Sequence, residues 1–110
     1  MKNYPSICEG VEFNRYCDGR CYNAKITSDK NGIYLELDRF QEEVLIRCDG
    51  RHSVDDIINI ISYVYKHKIM NYKHSVNRLL KDFYDKKIIE FNSEIILSKI
   101  RRIPDIKYAG

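Results

Sequence analysis

The sequence lacks any apolar stretch near the ~20 residues that a membrane span requires; runs such as residues 57–61 (Ile-Ile-Asn-Ile-Ile) fall far short. It also lacks an export signal. The N-terminal Met1-Lys2-Asn3-Tyr4-Pro5 has neither an apolar core nor a small-residue cleavage site, so a cytoplasmic location is expected. There is no internal repeat and no low-complexity tract. Cysteine is limited to Cys8, Cys17, Cys21 and Cys48, and in an unexported chain these read as thiols before they read as disulfides. Cys17 and Cys21 flank an Asp-Gly turn at a zinc-like spacing, but no second ligand pair follows, and the spacing of an iron–sulfur site is absent. Neither a metal nor another cofactor is expected. Catalytic signatures are missing too: no GxSxG, no HExxH, no glycine-rich phosphate loop and no CxxxCxxC. His52, His67 and His74 lie among lysines and arginines without a nucleophile in view. Asp55-Asp56 could be paired carboxylates, but at a helix start they are better explained as capping residues. No catalytic residue is assigned, and enzymatic activity is not expected.

What is present fits one globular domain. A chain of 110 residues can bury a core but has little room for a catalytic cleft as well. With 44% hydrophobic and 32% charged residues it has the composition of a folded protein, not of a disordered one. Charge is unevenly spread. Residues 1–50 carry seven Lys/Arg against nine Asp/Glu, whereas residues 51–110 carry twelve against seven. A basic C-terminal half points to an acidic partner, either nucleic acid or an acidic peptide.

The first 37 residues read as a three-stranded antiparallel meander. Asp18-Gly19 separates strands over residues 11–17 and 20–28, and residues 29–32 (Asp-Lys-Asn-Gly) turn into Ile33–Leu37. Alternation puts Phe13, Tyr22, Ala24, Ile26, Ile33, Leu35 and Leu37 on one face, which helices must cover. Asp38 with Gln41, and Ser53 with Asp56, form capping-box patterns that open two helices, the first ending near Gly50. A third helix runs over about 72–86 with Val76, Leu79, Leu80 and Phe83 at helical spacing. Residues 88–91 and 94–97 then read as a short hairpin. The predicted architecture is α+β: a three-stranded antiparallel meander followed by a three-helix winged helix-turn-helix with a short C-terminal hairpin. Residues 1–98 make the domain and residues 99–110 a tail or linker.

The third helix is crowded with basic residues: Lys73, His74, Arg78, Lys81, Lys86 and Lys87. A solvated face is the plainest account of them. A winged-helix DNA-binding protein would set them on phosphates. A peptide-binding domain would use them to attract an acidic peptide lying beside the helix.

Residues 44–58, Val-Leu-Ile-Arg-Cys-Asp-Gly-Arg-His-Ser-Val-Asp-Asp-Ile-Ile, carry a resemblance. They are similar to the signature of the PqqD-like family, the RiPP recognition elements: an apolar pair, Asp-Gly, a short spacer, Ser/Thr-Val, two polar residues and Ile. Val76-x-x-Leu79-Leu80-x-x-Phe83 and the following Lys87-Ile88-Ile89 also resemble that family, and the match spans residues 7–97. Relatives often carry Gly where this chain has Lys87. The resemblance implies a non-catalytic domain that binds the leader region of a ribosomally synthesised precursor peptide and presents it to a modifying enzyme. That enzyme would be a radical SAM maturase, acting in cis or in trans. It implies that the leader adds as a strand along Ile33, Tyr34, Leu35, Glu36 and Leu37, with Lys73, Asn77, Leu80, Lys81 and Tyr84 of the third helix walling the groove. Strand addition also follows from physics, since an unpaired strand edge is a template for backbone hydrogen bonds.

Overall fold

The computed structural model describes residues 3–65, 72–95 and 106–108. The chain folds as α+β, with three helices, a two-stranded sheet and a four-stranded sheet among the described residues. Its strands are β1 (Tyr4–Ile7), β2 (Glu12–Cys17), β3 (Tyr22–Ser28), β4 (Ile33–Leu37), β5 (Ile89–Asn92) and β6 (Lys107–Tyr108); the helices are α1 (Arg39–Leu45), α2 (Val54–Val64) and α3 (Tyr72–Asp85).

Consecutive strands β2, β3 and β4 pair antiparallel, with Phe13 opposite Ile26 and Ile26 opposite Leu35. The Asp18 carboxylate accepts from the amides of Arg20 (3.0 Å) and Cys21 (2.7 Å), and Gly19 takes φ +85°. This Asx-type turn is why Asp-Gly closes the hairpin. Alternation along β3 buries Ala24, Ile26 and Ser28, and along β4 half-buries Ile33, Leu35 and Leu37 while Tyr34 and Glu36 face outward. Both capping boxes form. Asp38 accepts from the Gln41 amide at 2.8 Å and Ser53 from the Asp56 amide at 3.1 Å, each with the reciprocal side-chain bond. Apolar stripes of the three helices, Val44 and Leu45, Ile57 and Ile61, Val76, Leu80 and Phe83, meet in one core with Ile26, Ile88 and Ile89.

Three features depart from the sequence expectation. The first concerns the C-terminal hairpin. Ile89–Asn92 pairs antiparallel with β1, with Ile7 opposite Ile89 and Tyr4 opposite Asn92, whereas Glu94 and Ile95 are outside any strand; residues 96 and 97 of the expected second strand lie outside the described residues. The Asn92 side-chain amide secures the pairing by donating to the Tyr4 carbonyl (2.7 Å) and the Ser6 hydroxyl (3.0 Å). The second is Gly50, expected to close α1. The helix ends at Leu45, and Gly50, at φ +80°, donates its amide to the Pro5 carbonyl at 2.9 Å instead. Asp49 beside it accepts from the amides of Arg51 and His52. The Asp-Gly pair therefore ties β1 to the turn between α1 and α2. The third is the tail, where Lys107 and Tyr108 add to β2 as a parallel strand.

Candidate functional site

The four-stranded sheet runs β4-β3-β2-β6, so β4 is an edge, paired on its inner side with β3 and on its outer side with nothing among the described residues. An edge strand presents a row of open N–H and C=O groups. Natural edges are commonly blunted by bulges, proline or inward charges. β4 has no proline; its one charged residue, Glu36, faces outward, and its inward residues are Ile33, Leu35 and Leu37. On the outward face Tyr34 is 64% exposed, its hydroxyl donates to Glu36 at 3.2 Å, and the Lys25 ammonium lies 5.9 Å from its ring centre. The Glu36 carboxylate holds the Tyr34 hydroxyl above its ordinary range, first by charge and then by that bond.

Where β4 ends, a cleft of about 560 Å³ opens between the start of α1 and one face of α3. Phe40 and Leu79 contribute its apolar surface, and Asp38, Gln41, Ser75, Arg78 and Asp82 its polar surface. Phe40 and Leu79 are half-buried against the same core as Ile33, Leu35 and Leu37. The strand edge and the cleft thus share an apolar base.

The residues assigned from sequence divide between two places. Ile33, Tyr34, Leu35, Glu36 and Leu37 form the open edge. Asn77, Leu80, Lys81 and Tyr84 face a different cleft, of about 520 Å³, shared with the start of α2 and with Phe91 of β5. Lys81 also reaches the first cleft, and Lys73 lies exposed at the start of α3, in neither. Sequence reasoning named Arg78 only among the basic residues of the helix and did not place Ser75, Leu79 or Asp82 in a groove. Their spacing of three and four residues around Leu79 was the available signal.

Part of the charge on α3 and just after it is internal. Lys81 pairs with Asp85 at 2.9 Å and Lys86 with Asp82 at 3.0 Å, both one turn apart. The bond from Asp85 holds the Lys81 ammonium above its ordinary range. Among the described residues the cleft beside β4 contains Arg78 and Lys81 against Asp38, Asp82 and Asp85, with no excess of basic residues. The attraction to an acidic peptide expected from composition has no counterpart in that cleft among the described residues.

Of the thiols, Cys48 is buried and desolvation pushes its pKa up, which makes it a core residue and not a nucleophile. Cys17 is half-buried and Cys21 exposed at the β2–β3 turn, and no disulfide links the four cysteines. Among the described residues no three His, Cys, Asp or Glu side chains gather as a metal site would need, and no helix is long and apolar enough to cross a membrane. Compared with protein-family models, with curated proteins and with solved structures, the chain matches none.

Proposed function

We propose that this chain is a non-catalytic recognition domain that binds an extended peptide by strand addition along β4. The observation that carries the reading is the open outer side of β4 beside the cleft walled by Phe40 and Leu79. An added strand takes affinity from main-chain bonds and selectivity from side-chain pockets at alternate positions. Here every second peptide residue would lie on the apolar side with Ile33, Leu35 and Leu37, and the others beside Tyr34 and Glu36.

The sequence resemblance supplies the peptide's identity within this reading: the leader region of a ribosomally synthesised precursor, presented to a modifying enzyme, a radical SAM maturase in cis or in trans, in the cytoplasm. The PqqD-like arrangement of a meander and a winged helix-turn-helix is the fold that accompanies it. β2–β4 would be the meander, α1–α3 the helical part, and β5 the first strand of the wing, with β1 as its partner. DNA binding ranks below this reading, because Lys81 and Lys86 are already engaged by Asp85 and Asp82.

The test is an NMR titration of the chain with the precursor peptide encoded beside its gene. Perturbations are expected along Ile33–Leu37 and at Ser75, Leu79 and Phe40. Binding with no perturbation along β4, or no binding at all, contradicts the proposal.

A further inference from the structure

The second cleft lies on another face of α3 from the one beside β4, and strand addition makes no use of it. Its apolar shelf is Tyr84 of α3 stacked on Phe91 of β5, ring centres 5.3 Å apart and planes 21° apart. Both rings keep accessible surface, 49% and 38% of each residue. Phe91 shares a side of β5 with Ile89, yet Ile89 is buried while Phe91 stays partly open, so the stack sits at the solvent-facing margin of the core. Across the cleft stands Asp55, an exposed residue in the first turn of α2 with no hydrogen bond or ion pair among the described residues. Asn77 and Asn3 add polar groups at the rim. Lys81 and Asp85 also line the cleft, but they pair with each other, which among the described residues leaves the Asp55 carboxylate as its uncompensated charge.

An exposed aromatic shelf facing an unpaired carboxylate, in a cleft of about 520 Å³, is complementary to a planar cation. We propose that this cleft is a binding site for an arginine side chain presented by a partner peptide. The guanidinium would lie over the Tyr84–Phe91 shelf and share its N–H donors between Asp55 and the side-chain carbonyl of Asn77. Guanidinium fits better than ammonium because it is flat, stacks on rings and offers several donors in one plane. Asp55 also favours the N-terminal end of α2, and both roles can hold together because its carboxylate remains accessible.

The experiment titrates the whole chain with acetyl-Ala-Arg-Ala-amide, followed by amide NMR, beside the same peptide with citrulline, which keeps the shape and loses the charge. The arginine peptide is expected to shift Asp55, Asn77, Tyr84 and Phe91, and the citrulline peptide is not. Phe91→Ala should weaken binding roughly two- to fivefold, the range of an exposed cation–π contact, while Phe91→Tyr keeps it. Asp55→Asn should weaken it by a similar factor, with the remaining spectrum unchanged. Equal responses to arginine and citrulline, shifts confined elsewhere, or binding indifferent to both Asp55→Asn and Phe91→Ala would overturn the site. Because β4 plays no part, this outcome is independent of strand addition.

Discussion

Lys87 is the only non-glycine residue with positive φ among the described residues, at 62°. It occupies the position after the α3 cap: the Ile88 amide donates to the Phe83 carbonyl at 2.9 Å and the Lys87 amide to Tyr84 at 3.0 Å. That pair of bonds is a Schellman ending, whose left-handed residue is usually glycine. A side chain in this conformation costs about 1 kcal/mol or more. Lys87→Gly should therefore raise the melting temperature by about 4–8 °C, less whatever the freer unfolded chain takes back. A melting temperature unchanged or lowered in thermal denaturation would contradict this account of the helix end. A second residue-scale prediction concerns Glu42, 4% exposed, which accepts from Arg15 at 2.8 Å and from the Tyr22 hydroxyl. Burial, then the bond to Glu42, raises the Tyr22 pKa. A raised pKa means that this contribution to stability is complete below the unfolded value of about 10 and is lost as pH rises through the folded value. The unfolding midpoint should fall above about pH 10 in denaturant titrations, and less steeply in Tyr22→Phe. Parallel curves for the two proteins would show that the bond is not felt.

At the scale of elements, β4 makes a sharp prediction because neighbouring strand residues direct their backbone groups to opposite sides. Of Tyr34 and Leu35, one turns its N–H toward β3 and the other toward the open edge. Proline at the inward position removes a sheet bond and should destabilise the fold; at the outward position it removes only a donor that a bound strand would use. The better folded of Tyr34→Pro and Leu35→Pro should thus lose peptide affinity by about two- to tenfold from one bond, and by more if the ring strains the edge. Calorimetry showing full affinity in that variant would exclude main-chain recognition at β4. The elements that sequence made legible are those whose information is local. Alternation at 22–28 and 33–37 marked β3 and β4, and Asp38 with Gln41 and Ser53 with Asp56 marked two helix starts. β1 was not legible, since four residues containing Pro5 carry no alternation and their partner Asn92 lies 88 positions away. For the same reason β5 was assigned the nearest following apolar run as its mate. The face of α3 was not legible for a different reason: which of its residues line the cleft beside α1 and which the cleft beside α2 and β5 is set by helix packing, not by local pattern.

At the scale of the whole molecule, the pairing of charges says more than their count. The C-terminal half is basic, yet Lys81 of α3 and Lys86 just after it are held one turn from aspartates, and among the described residues the cleft beside β4 has slightly more carboxylates than cations. Exposed charge is screened over about 8 Å at physiological ionic strength, so peptide affinity carried by backbone bonds and apolar contact should change little with salt. Binding of nucleic acid through phosphates would instead fall by orders of magnitude over a few-fold rise in salt. A steep salt dependence of peptide binding would therefore count against the mechanism.

The central claim, that β4 is the open edge along which a peptide adds, is tested most directly by amide hydrogen exchange across Ile33–Leu37 with and without the precursor peptide. In the free chain the amides should alternate, slow where they bond to β3 and fast where they face outward. The bound chain should show the fast set protected and the β3 amides unchanged. Uniformly slow exchange in the free chain, or fast amides that stay fast at saturating peptide, would contradict it.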